Sequence, residues 1–266
     1  MKERRVWHRL GSIALEVWLP IALIVTWWYA SENSTSFFFP PLRKIVHVFR
    51  ETWIFDRVDT DLVPSLIRFA EGFALAVVLG ITIGVLLGLW TLGRRSLMPT
   101  IDFMRSIPGT ALVSVWIVAL GFGNLMKVTA ITFISFFPIL LNTIDGVRGV
   151  DPSQLDMARA YRVSPRDKVL RIIMPAASPQ IFTGLRIGLA VALLMMAFSE
   201  MFAGTNGIGF FIYFTQQTFR IPEMWTGIVL LGILGYTVNL LFILVERRVL
   251  RWHRGWRATA RDAGTT

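Results

Sequence analysis

Residues Phe73–Trp90 read FALAVVLGITIGVLLGLW, eighteen positions without a charge. As an α-helix the segment would be about 27 Å long, close to the hydrocarbon thickness of a bilayer. Lipid offers no partner to a backbone N–H or C=O, so a segment of this kind must satisfy its own backbone, and a helix does so. Five further hydrophobic segments stand on either side of it. They are Ile13–Ala30, with Glu16 near its start; Ile107–Met126, interrupted by Pro108, Gly109, Gly121 and Gly123; Val128–Ile144; Gln180–Ala203, with Arg186 near one end and Glu200 near the other; and Met224–Val245.

The composition agrees. The chain is 54% hydrophobic and 17% charged over 266 residues, against the roughly 45–50% and 25% of a soluble domain. Its charges crowd between the apolar runs. The expectation is an all-α polytopic membrane protein with six transmembrane helices. Residues 1–65 would hold the N-terminal helix and an outer segment, 66–256 the core, and 257–266 a flexible tail.

Charge placement sets the orientation. With the N-terminus inside, the cytoplasmic segments hold 19 Lys and Arg residues and the outer ones 7, namely Arg43, Lys44, Arg50, Arg57, Arg68, Lys127 and Arg220, which puts both termini in the cytoplasm. The same pattern argues against nucleic acid as the partner of the +10 net charge, because apolar spans separate the basic clusters. In the tail Arg247–Arg257, Trp252, His253 and Trp256 stand among arginines, which suits an anchor to anionic lipid. A cleaved leader would need small residues where Trp27, Trp28 and Tyr29 stand, so the first helix is expected to be retained.

Several chemistries are excluded. With no cysteine, disulfides, thiol catalysis and zinc–thiolate sites are ruled out. His8, His47 and His253 are far apart, and the sequence shows no paired intramembrane carboxylates, so neither a metal site nor an enzyme is expected. An ion-driven secondary transporter is the alternative. Such proteins carry ionisable groups near the bilayer midplane, whereas the second, fourth and sixth segments have none.

Outside the apolar runs, two stretches carry structure. In Ser31–Leu66, Phe37-Phe38-Phe39-Pro40-Pro41 cannot sit inside a helix. After it Leu42, Ile45, Val46, Phe49 and Trp53 recur at helical spacing with Arg43, Lys44, Arg50 and Glu51 between them. This helix either lies on the outer membrane surface or packs on the domain's own flank. In Asn142–Pro179, Asp151-Pro152 reads as an N-cap with Pro at the first helical position, opening a helix to about Tyr161. Ser164-Pro165 repeats the signature, opening a second helix to about Ile173 that ends before Pro175. Two short helices in the longest cytoplasmic loop, between helices four and five, read either as a docking surface or as an ordered loop without a partner.

At this loop the chain resembles the binding-protein-dependent permeases of ATP-driven (ABC) importers. Their loop pattern is Glu-Ala-Ala, three residues, Gly, nine residues, Ile, one residue, Leu-Pro. Here it falls on Asp156-Met157-Ala158, Arg162, Ile172 and Met174-Pro175; Ala158, Ile172 and Pro175 match, while Met157 and Arg162 depart. Arg105-Ser106-Ile107-Pro108, Gly121-Phe122-Gly123, Phe137–Thr143, Gly146-Val147-Arg148, Gly184-Leu185-Arg186, Glu200-Met201 and Gly207-Ile208-Gly209 are similar to the aliphatic sulfonate, taurine, nitrate and bicarbonate branch, across about Leu62 to Trp256.

The resemblance implies a bacterial cell-membrane permease paired with a second permease, the same or homologous. It also implies ABC ATPase subunits that bind ATP and Mg, and an extracytoplasmic solute-binding protein that delivers a small anionic solute. This chain has no Gly-x-x-x-x-Gly-Lys-Ser/Thr phosphate loop of its own. The coupling residues implied are Leu155, Asp156, Ala158, Arg159, Arg162, Ile172 and Pro175. Leu155 and Ala158 would enter an apolar groove of the ATPase, with Arg159 at its rim and Asp156 facing a basic partner. The Arg at the family's Gly position would strain a left-handed turn and hints at pairing with a different permease. Ser114, Ser135, Met195, Ser199 and Glu200 are the pathway candidates. Glu200 can instead pin the loop Gly204–Gly209, and Arg186 can snorkel to the interface.

Overall fold

The computed structural model describes residues 18–251. The basic residues before Trp18, Glu16, His8, and the tail from Trp252 with His253 and Trp256 lie outside the described residues. Those described are helical, with no strand among them. In chain order the helices are α1 (Trp18–Ser31), α2 (Leu42–Glu51), α3 (Val63–Leu89), α4 (Thr91–Ser106), α5 (Gly109–Leu120), α6 (Asn124–Arg148), α7 (Pro152–Ala160), α8 (Pro165–Asp167), α9 (Met174–Ala203), α10 (Ile208–Gln217) and α11 (Ile221–Val249). Wider π-type turns lead into α3 over Val58–Leu62 and into α9 over Lys168–Ile173.

Four helical runs are long and apolar enough to cross a membrane: Val58–Leu89, Asn124–Arg148, Pro165–Ala203 and Ile221–Val249. The α1 helix is apolar but shorter. The expected third span, Ile107–Met126, has different bounds in the structure. It holds α5 and the first residues of α6, and α4 and α5 form a pair bent by 91°. Pro108 forces the preceding residue out of the helical region; Ile107 has φ −74° and ψ 125°, and the chain turns there. At the other end Gly121 takes φ +76°, and Met126 already belongs to α6.

The chain divides into two compact units. The larger comprises Asp59–Phe211 and the residues from Leu230 onward. Its centre is α6, where Ala130, Ile131, Ile139 and Leu140 are fully buried. On α3, Gly72, Ala76, Gly80, Gly84 and Gly88 recur every fourth residue and so share one face. A β-carbon at Gly72, Gly80, Gly84 or Gly88 would lie 2.6–2.7 Å from Ile131, Ile139, Thr143 or Val147 of α6. Small residues let backbones approach in lipid, where apolar burial gives no preference for protein over solvent. Thr132 adds a bond across the contact, its hydroxyl donating to the Gly72 carbonyl at 3.1 Å.

The smaller unit holds the described residues up to Val58 together with Ile212–Val229. Here α2 turns apolar side chains inward: Ile45 is 1% and Trp53, in the π-turn Thr52–Asp56 that follows directly, 5% exposed. The helix is therefore packed on its own unit along that side. The Trp53 indole N–H donates to the Thr226 hydroxyl at 3.0 Å, and that of Trp225 to the Phe38 carbonyl at 3.0 Å. Ser31 sets the elbow between α1 and α2, accepting the Leu42 N–H at 3.0 Å and donating to the Trp28 carbonyl at 3.4 Å.

Candidate functional site

The loop between α6 and α9 is built from its caps. The Asp151 carboxylate accepts the Ser153 N–H at 2.8 Å, and that amide holds the carboxyl below the usual aspartate range. Pro152 occupies the first position of α7, where its missing N–H costs nothing. At the other end the Val163 N–H reaches the Ala158 carbonyl at 2.9 Å and the Arg162 N–H reaches the Arg159 carbonyl at 3.0 Å. These two bonds define a Schellman motif, whose closing residue is left-handed. That residue is Arg162, at φ +51°. Ser164 caps the next turn, accepting the Asp167 N–H at 3.2 Å and donating to its carboxylate at 2.8 Å.

The second helix runs on past its expected stop. The run Pro165–Ala203 is continuous over 39 residues, and Pro175 sits in its interior. The π-turn Lys168–Ile173 ends just before it. Where the bonding register shifts from a wide turn back to the α pattern, an N–H falls out of register, and Pro has none to lose. Ile172 and Pro175 are half-buried.

The two faces of α7 differ from expectation. Ala158 is buried, 4% exposed, and Leu155 packs beside Val150, Ile173 and Ala177, so both seat the helix on its own chain. Asp156 and Arg159 pair with each other at 2.8 Å on the exposed side. The apolar groups turned outward are Met157, 56% exposed, and Tyr161, 82%.

The pathway candidates do not converge. Ser114 is exposed on α5. Ser135 is sealed inside, its hydroxyl the only fully buried side-chain polar atom without a partner among the described residues. Met195 lies in the apolar core with Met126 and Ile131. Ser199 is buried and donates to the Met196 carbonyl at 3.0 Å. Arg186 forms an ion pair with Glu246 rather than reaching out alone.

Glu200 is the centre of a buried charged cluster. Its carboxylate accepts the Ser65 hydroxyl at 2.8 Å, Arg68 Nη1 at 2.8 Å and the Gly209 N–H at 3.1 Å. Arg68 also donates through Nε to Asn124 at 2.8 Å and through Nη1 to the Asn206 carbonyl at 3.2 Å. Asp61 accepts the Gly207 N–H at 2.7 Å, and the Ile208 N–H donates to Ser65 at 2.9 Å. Lys127 lies within electrostatic reach of Arg68 and Glu200. Arg68, Lys127, Asp61 and Glu200 are each 3% exposed or less, and their formal charges cancel. The loop after α9 is thereby tied to α3. Gly207, at φ +114°, lies so near that a β-carbon would come within 2.4 Å of the carboxylate carbon.

In the charge count that set the orientation, Arg68 and Lys127 stand as outer-loop residues; the structure buries both inside helices. A signal for the first was present. Asp61, Ser65 and Arg68 fall at i, i+4 and i+7, one polar face running into an uncharged span.

The family described as binding-protein-dependent transport system inner membrane component matches residues 76–254. A chain designated an aliphatic sulfonates transport permease protein in Bacillus subtilis (strain 168) is 30% identical over 212 residues, 80% of this chain and 77% of that one. A bicarbonate transport system permease protein of Synechococcus elongatus is 32% identical over 190 residues, 71% and 68% of the two chains. A taurine transport system permease protein of Escherichia coli (strain K12) is 26% identical over 254 residues, 93% and 92%. Among solved structures, an inward-facing form of the MetNI methionine ABC transporter superposes with a TM-score of 0.63 at 21% identity, covering 71% of this chain and 94% of that one. That likeness speaks to the fold alone.

Proposed function

This chain belongs to the binding-protein-dependent transport system inner membrane components, and from that premise we propose how it carries its solute. It is a permease subunit of an ABC importer. Two such subunits, the same or homologous, form the pathway in the plasma membrane of a bacterium, each with six membrane helices and both termini in the cytoplasm. Partner ATPases bind ATP and Mg. A solute-binding protein outside delivers a small anionic solute, such as a sulfonate, taurine, nitrate or bicarbonate. The names of the similar permeases support that class. So does the exposed face of α5, which sets hydroxyls at Thr110 and Ser114 on an apolar helix.

Energy enters through α7. The observation that carries this reading is its outward face: Met157 and Tyr161 are exposed one helical turn apart in a charged segment between membrane spans. Aromatic and methionine side chains are enriched at interface centres, with charged groups left to the rim. Leu155 and Ala158 seat the helix from beneath, and the Asp156–Arg159 pair borders the docking patch.

The test is the double variant Met157→Glu, Tyr161→Glu in the assembled transporter. Expected are loss of ATPase subunit in pull-downs and loss of ATPase stimulation by loaded binding protein, with normal membrane insertion. Ala158→Trp should fail as well, by lifting α7 off its seat. If the double variant binds the ATPase and transports normally, this helix is not the coupling element.

A further inference from the structure

The smaller unit contains a groove that the transport reading leaves without a role. It has a volume of about 510 Å³ and lies between the end of α1 and the first turns of α2, with Trp28 and Glu32 on one wall and Leu42, Arg43, Lys44 and His47 on the other. The Ser31 hydroxyl, bridging Leu42 N and the Trp28 carbonyl, holds the two walls together. We propose that this groove binds the headgroup of a zwitterionic phospholipid of the phosphoethanolamine type.

Charge selects the headgroup. Arg43 and Lys44 are exposed along one wall, which suits a phosphate diester, since ionised donors make the stronger hydrogen bonds to phosphate oxygens. Glu32 stands opposite. No ion pair joins it to Arg43 or Lys44 among the described residues; on this wall His47 pairs with Glu51 at 3.5 Å. Unlike charges that share one groove without closing on each other leave room for a ligand carrying both signs. An ammonium would meet Glu32 and the ring face of Trp28, where cation–π attraction adds to the charge.

Apolar surface beside the groove selects a lipid. Phe37, Phe38 and Phe39 are 58%, 59% and 64% exposed. On α1, Ile21, Leu23, Ile24 and Tyr29 are 54% to 71% exposed. Acyl chains would lie on these residues, with Trp28 at the level where aromatic rings gather in membranes. A free small zwitterion would have no use for that surface. Exposed ion pairs are individually weak, so the occupant must be abundant where the groove is, as a bilayer lipid is.

The test is native mass spectrometry of the full-length protein, extracted from an equimolar mixture of phosphatidylethanolamine and phosphatidylglycerol. The wild type should retain phosphatidylethanolamine preferentially. Arg43→Gln with Lys44→Gln should lower retention of both lipids by about fivefold, the scale of one or two exposed ion pairs. Glu32→Gln should keep phospholipid binding but lose the ethanolamine preference. These side chains are exposed, so unchanged melting temperatures should accompany the losses. Equal retention of the two lipids by the wild type, or undiminished retention by the Arg43/Lys44 double variant, would overturn the assignment. So would displacement of the lipid by soluble O-phosphoethanolamine at matched concentration, which would identify a free solute as the ligand.

Discussion

Glu200 and Arg68 pair at 2.8 Å with side chains at most 4% exposed, so neither can lose its partner cheaply. Glu200→Ala strands a guanidinium in a buried site and should cost about 3–5 kcal/mol, read as a fall in the melting midpoint of the detergent-solubilised protein. Replacing both partners together, as Arg68→Met with Glu200→Leu, should recover part of that loss, since an apolar pair removes the stranded charge but leaves the Ser65 hydroxyl and the Gly209 N–H without the carboxylate. Arg162 bears the opposite kind of strain. A non-glycine residue at φ +51° costs about 1 kcal/mol relative to Gly. Arg162→Gly should therefore slow hydrogen exchange at the Val163 amide, which closes the turn on the Ala158 carbonyl, by about fivefold. The sequence alone shows that an Arg replaces the family's Gly there. The two capping bonds explain how the turn tolerates it, because they hold the backbone whatever side chain projects.

Among the elements, the close approach of α3 to α6 is the one most exposed to a single substitution. Gly84→Val would drive two methyl groups toward Thr143, whose Cβ would stand only 2.6 Å from a β-carbon at that position. It should cost at least about 1–3 kcal/mol through overpacking. Gly232→Ala on α11 meets nothing within 4 Å and should leave stability unchanged or raise it by up to about 1 kcal/mol through helix propensity; melting curves of the two variants make the comparison. The long spans were legible in the sequence because lipid exposure demands an unbroken apolar surface, and Asp151-Pro152 marked the start of α7 through chemistry local to the turn. The elements that escaped depend on the third dimension. The bend at Ile107-Pro108 reads as a weak span to hydropathy, which counts residues and not direction. Pro175 reads as a stop because the register shift that accommodates it lies in the preceding turn. Arg68 and Lys127 read as loop because a charge lowers hydropathy whether or not a carboxylate waits for it.

For the whole molecule, charge asymmetry predicts that a reporter fused after Thr266 is active only when it requires the cytoplasm; activity confined to an outside-only reporter would reverse the topology. Length has a further consequence. The continuous run Pro165–Ala203 contains 39 residues, which at about 1.5 Å each makes it about 58 Å long, nearly twice the hydrocarbon thickness of about 30 Å. One end lies in the loop beside α7 and the other carries Glu200, fastened to α3 by Arg68 and Ser65. In the coupling role proposed for α7, such a rod would act as a lever with its fulcrum at the clamped tip. A tilt of about 10° there sweeps the free end through about 10 Å, given that rise per residue. The leverage works in reverse as well: a broad push on the loop arrives at the fulcrum as a small displacement and a large torque. On that proposal the buried ion pair is the part that must resist force, and weakening it should let the arm swing without moving what it is hinged to.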